Sequence, residues 1–92
     1  MARYLIEIPH GDEYRACVKA LEAVREYGSH FVTHADWGCG DGVHCGWLIA
    51  ELESRTDAEL LVPPQLRHEA RITKLNTYTS EQIAALVAKL EN

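Results

Sequence analysis

The chain has 92 residues, with nine Lys and Arg against fourteen Asp and Glu and a formal net charge of −5. Hydrophobic residues make up 47% and charged residues 25%, a balance that fits a single folded domain over 1–92 and excludes a disordered chain. The basic residues form no stripe, which argues against a nucleic-acid partner, and the longest strongly apolar run, residues 45–50, is far too short for a membrane span. Glu7 follows the start so closely that no leader is expected, and an odd set of three cysteines then points to free thiols in a cytoplasmic setting.

In chain order, residues 3–8 read as a strand ending at Pro9. Asp12 is placed to cap a helix carrying Tyr14, Val18, Leu21 and Val24 at helical spacing, with Gly28 to end it. Residues 29–37, rich in β-branched and aromatic side chains, read as a second strand. The glycine-rich stretch 38–42 is a turn, and 43–52 a third strand. Thr56 and Glu59 have capping-box spacing for a short helix that Pro63 and Pro64 stop after Val62. Residues 68–76 read as a fourth strand. Thr79 and Gln82 make another capping box, and Ile83, Leu86, Val87 and Leu90 mark one face of a final helix.

This order, β-α-β-β-α-β-α, predicts an α+β fold: a ferredoxin-like βαββαβ unit with an extra C-terminal helix. Right-handed crossovers give the strand order 4-1-3-2, antiparallel, with both helices of the repeat on one face. The other face mixes Glu7 and Arg71 with Leu5, Leu75 and either Val32 or Phe31, too apolar to stand bare in water. In element order and length, over nearly its whole extent, the chain resembles the dimeric α/β-barrel superfamily, small ferredoxin-like proteins that pair sheet to sheet. The resemblance implies a homodimer. It also implies a range of roles, from small isomerases and cofactor-free monooxygenases to haem-handling and stress-induced proteins, with nickel binding in some small ferredoxin-like relatives. It carries over no catalytic residue.

The topology makes a sharper prediction about side chains. The ends of strands one and two share an edge with the starts of strands three and four. His10, His34, Asp36, Cys39, Asp41, His44, Cys45 and His68 then gather there, four of the five histidines and two of the three cysteines, while His30 and Cys17 fall elsewhere. Imidazole and thiolate are ligands for zinc, nickel or copper. The candidate ligands are His34, His44, Cys39, Asp36, Cys45, His10 and His68, and no nucleotide cofactor is expected. A hairpin centred on Gly40 puts Asp36 opposite His44 and His34 opposite Gly46; a two-residue turn at Asp41 and Gly42 shifts the register and gives Cys45 the face of His34.

The same residues admit other uses. His34 beside Asp36 or His44 has the makings of a general base, and Cys39 of a nucleophile. That reading is a cofactor-independent enzyme of isomerase or monooxygenase type, or a protein holding a small molecule between sheet and dimer partner. The plainest alternative is a set of ordinary loop residues, with Cys39 and Cys45 as small fillers. Trp37 and Trp47 fit the core or interface, Arg71 and Glu7 a cross-strand ion pair, and Gly11 with Asp12 a helix cap.

Overall fold

A computed structural model of the chain describes residues 1–28 and 33–91. Its elements are β1 (Ala2–Pro9), α1 (Tyr14–Tyr27), β2 (Asp36–Trp37), β3 (Cys45–Leu52), α2 (Arg55–Leu61), β4 (Arg71–Leu75) and α3 (Ser80–Glu91), with 3-10 turns at Cys39–Asp41 and Pro64–Leu66. The sheet is open and antiparallel, in the order β2-β3-β1-β4, which is 4-1-3-2 read from the other edge. Among the described residues no helix is long and apolar enough to cross a membrane.

Side chains alternate along a strand, so Tyr4, Ile6 and Ile8 of β1 and Leu48 of β3 share the inner face. Val24 of α1, Ala58 of α2 and Val62 close over them. Each of these large side chains contributes about 1.5–3 kcal/mol by leaving water. Tyr27, at the end of α1, donates its hydroxyl to the Leu60 carbonyl at 2.6 Å and accepts from Arg67 at 2.9 Å, which fixes α1 to α2. On the outer face Leu5, Ile49 and Leu75 stay partly exposed, and Glu7 pairs with Arg71 across β1 and β4 at 3.5 Å.

Several boundaries differ from those expected. The second strand is only Asp36–Trp37; residues 33–34 are helical, and 29–32, with His30, Phe31 and Val32, lie outside the described residues. Among the described residues, β3 pairs with two residues of this stretch, Asp36 and Trp37. Helix α1 starts from Glu13 with no side-chain cap, in place of Asp12, and ends at left-handed Gly28 (φ 69°). Its inward face is Ala20, Ala23 and Val24, while Tyr14, Val18 and Leu21 are exposed. The cap of α2 is Ser54, whose Oγ accepts from Asp57 N–H at 3.2 Å, in place of Thr56. Strand β4 begins at Arg71, because the Pro63 and Pro64 segment continues into turns through residue 69. The box at α3 forms in full: Thr79 N–H donates to Gln82 Oε1 at 2.8 Å, and Gln82 N–H to Thr79 Oγ1 at 3.1 Å.

The hairpin takes neither of the expected forms completely. Asp36 pairs with Trp47 and Trp37 with Gly46. That register is centred between Asp41 and Gly42, but the link is a 3-10 turn closed by left-handed Gly42 (φ 79°). Trp37 lies across Gly46: a Cβ built on that glycine would meet the indole at 2.5 Å. Trp47 lies against Gly38 in the same way, at 2.8 Å. Gly46→Ala is therefore expected to cost about 1–3 kcal/mol by overpacking. Urea unfolding followed by circular dichroism reads that cost, and an unchanged midpoint would show that Trp37 does not rest there.

Candidate metal centre

Three backbone features build the site. Strand β1 ends at Pro9, opposite Cys45 at the start of β3. The next residue, His10, donates its N–H to the His44 carbonyl at 3.1 Å, tying the two strand ends together. His44 itself stands at the apex of a tight turn, because Cys45 N–H donates to the Val43 carbonyl at 2.9 Å. A three-residue turn of this kind next to a strand re-aims the side chain at its apex. Between β2 and β3, the Gly38 carbonyl accepts from Asp41 N–H at 2.9 Å and from Val43 N–H at 3.0 Å. The folded-back turn carries Cys39 at its start.

These elements bring His10, Cys39 and His44 together. One ligating atom from each lies within 4.8 Å of the others, close enough to hold a metal ion. His10 Nε2 is 3.1 Å from Cys39 Sγ. The His10 and His44 rings meet edge-on with centroids 5.8 Å apart, and Trp37 flanks His10 at 6.2 Å. The Nδ1 atoms of both histidines are buried and have no hydrogen-bond partner among the described residues. Such a buried polar atom costs about 1–3 kcal/mol, and an ion bonded there removes the cost.

The other expected ligands are not brought into this group. His34 lies in the helical pair 33–34, exposed, with Nδ1 2.7 Å from Thr33 Oγ1. Asp36 is exposed on β2, opposite Trp47 and not opposite His44. Cys45 is buried, and its thiol donates to the Gly46 carbonyl at 3.5 Å. His68 sits in the exposed turn before β4, 3.6 Å from Glu69.

One neighbour was not expected there. Cys17, half-buried in the first turns of α1, lies near enough to Cys39 to raise its thiol. A signal for it exists in the sequence. Ala16, Cys17, Ala20 and Ala23 are the small residues of α1, at helical spacing, and Ala20 and Ala23 are buried.

Electrostatics separates the two chemical uses of Cys39. Burial, first, and then the hydrogen bond and charge of Cys17 push the Cys39 thiol up to about 11. Burial also pushes up the Cys45 thiol, with Glu7 adding to it. An activated nucleophile needs a lowered value, and the shift of Cys39 runs in the opposite direction. A cation supplies what is missing, since it exchanges directly for the thiol proton. A cleft of about 410 Å³ reaches His10 from the other side, between α1 and the Pro64–Leu66 turn, with Lys19, Glu22, Glu26 and Glu69 on its walls.

No family model, curated protein or solved structure matches the chain. The functional reading therefore rests on the chemistry of these residues.

The raised value has a direct kinetic consequence. In the metal-free, reduced protein, Cys39 is a neutral thiol throughout the neutral range. Only the thiolate is alkylated, so its rate with iodoacetamide at pH 8 is expected to be about a hundredfold below that of a thiol at the ordinary value of 9.0. The rate should rise with pH to a midpoint near 11. Peptide-resolved mass spectrometry measures it, and a midpoint at or below 9 would contradict the burial of this thiol.

Proposed function

We propose that this protein binds a transition-metal ion of the zinc, nickel or copper class through His10, Cys39 and His44. The observation that carries the reading is the convergence of two imidazoles and one thiol within 4.8 Å, on backbone that is tied together by hydrogen bonds. Two nitrogens and a sulfur suit borderline and soft cations and disfavour magnesium and calcium. The orphaned Nδ1 atoms support it from the opposite direction, because such groups ordinarily find a partner.

Protons compete with the ion for every one of these ligands. Affinity should fall as pH drops through about 6.5, where free imidazole becomes charged, and should rise toward alkaline pH as the Cys39 proton leaves more easily. His10→Ala, Cys39→Ser and His44→Ala are each expected to weaken binding by about tenfold or more. His68→Ala, which removes an exposed ring outside the group, should leave affinity unchanged. Calorimetric titration of zinc, nickel and copper at two pH values tests this. Equal affinities in wild type, His10→Ala and His44→Ala would end the reading.

We also infer a ferredoxin-like subunit that pairs with a second copy of itself as a dimeric barrel. Helix α3 buries none of its residues, and Ile83, Leu86, Val87 and Leu90 remain between 46% and 87% exposed. A 12-residue helix is marginal alone in water. The radius of gyration, 16.5 Å, exceeds the roughly 12 Å of a compact domain of this length, as a projecting helix requires. The outer sheet face supplies a second uncovered apolar surface, with Ile49 58% exposed. Arg3 and Glu51, paired across β1 and β3, give that face both signs of charge. A two-fold axis can then match the face to itself. Light scattering at micromolar concentration should give twice 10.3 kDa, and Ile49→Glu should reduce it to one chain. A wild-type mass of one chain would refute the dimer.

A further inference from the structure

A second cleft, of about 460 Å³, is lined by Arg55 and Glu59 of α2, by Arg67 and His68 in the turn before β4, and by Ala70 and Ile72. None of His10, Cys39 and His44 lines it, so its chemistry is independent of the metal centre. Both guanidiniums are anchored. Arg55 donates through Nη1 to the Ile72 carbonyl at 2.7 Å and lies over the Tyr4 ring, 5.9 Å from its centroid. Arg67 donates through Nε to the Val62 carbonyl at 2.8 Å and through Nη2 to the Tyr27 hydroxyl at 2.9 Å, over the Tyr27 ring at 5.8 Å. Among the described residues neither guanidinium has a carboxylate partner. Most N–H donors of each therefore remain unused, on side chains whose orientation is already set.

We propose that this cleft binds a small hydroxylated phosphomonoester through its phosphate group. A planar guanidinium presents paired N–H donors that match the oxygens of a carboxylate or a phosphate. One such fork satisfies a carboxylate. Two forks and an imidazole exceed what a carboxylate can accept, whereas a phosphomonoester offers three acceptor oxygens and a charge of about −1.5 to −2 at neutral pH. The volume is that of a site for a small organic molecule, larger than a bare ion requires. Glu59 lies one helical turn after Arg55, on the same side of α2, and gives the cleft an acceptor for a hydroxyl beside the phosphate. Its charge also works against polyanions. The formal net charge of −5 does not oppose binding at contact range, because charges farther than about 8–10 Å are screened at ordinary ionic strength.

Nuclear magnetic resonance of the isotope-labelled full chain, titrated with glycerol phosphate, inorganic phosphate and glycerol, tests this. Glycerol phosphate should shift the signals of Arg55, Arg67, His68 and Ile72 in a saturable manner. Inorganic phosphate should shift the same signals at higher concentration, and glycerol should shift none. Arg55→Gln and Arg55→Lys should each weaken binding of glycerol phosphate by about tenfold, since lysine keeps the charge and loses the fork. Arg25→Gln, at the end of α1 and outside the cleft, should leave it unchanged. No saturable shift with glycerol phosphate would overturn the proposal. Equal binding by wild type and Arg55→Lys would overturn it too, reducing the cleft to unspecific surface charge. Inorganic phosphate binding as tightly as glycerol phosphate would refute the organic ligand. Should the Arg55 variants fail to fold, the three titrations of the wild-type protein decide.

Discussion

The β1–β3 ladder sets the position of both imidazoles in the site. Eight consecutive pairs, from Ala2 with Leu52 to Pro9 with Cys45, leave His10 and His44 no choice but to emerge side by side at one edge. A shift of one residue in this pairing would send the apolar set of Tyr4, Ile6 and Ile8 to the wrong face. The core therefore enforces the register, and the register delivers the two imidazoles. The chemistry of the edge is a by-product of how the sheet buries its inner face.

The indole rings maintain that edge. Trp37 occupies the space that a side chain at Gly46 would need, and Trp47 does the same at Gly38. Each ring thus lies against a glycine backbone across the short β2–β3 pairing. The same contact puts Trp37 beside His10, so the hydrophobic packing of the hairpin and the placement of a candidate ligand cannot be altered separately.

Much of this was readable from the sequence. Alternation in β1 and β3, the Pro63 and Pro64 stop, the left-handed glycines at 28 and 42 and the capping box of α3 are local signals, and the structure carries all of them. The gathering of His10, Cys39 and His44 followed from topology. What escaped was phase. The periodicity of α1 identifies a stripe of Tyr14, Val18, Leu21 and Val24, of which only Val24 is buried, beside Ala20 and Ala23; Cys17 was lost with that choice. His34 was misplaced because the strand was extended back through Thr33 and His34, which are helical, and Asp36 because the hairpin register pairs it with Trp47. Cap positions slipped by one or two residues for a related reason: Ser54, Thr56 and Asp57 are all competent near a helix start, and only tertiary packing decides among them.

Trp37 has one more property that follows from where it sits. An indole in van der Waals contact with backbone and close to an imidazole is an optical reporter whose emission depends on the state of that imidazole. Closed-shell zinc leaves the excited state intact, whereas an open-shell ion such as copper(II) opens a quenching route across the short gap to His10. The protein thus carries a native chromophore that would distinguish the electronic class of an ion held at the edge, without labels or substitutions.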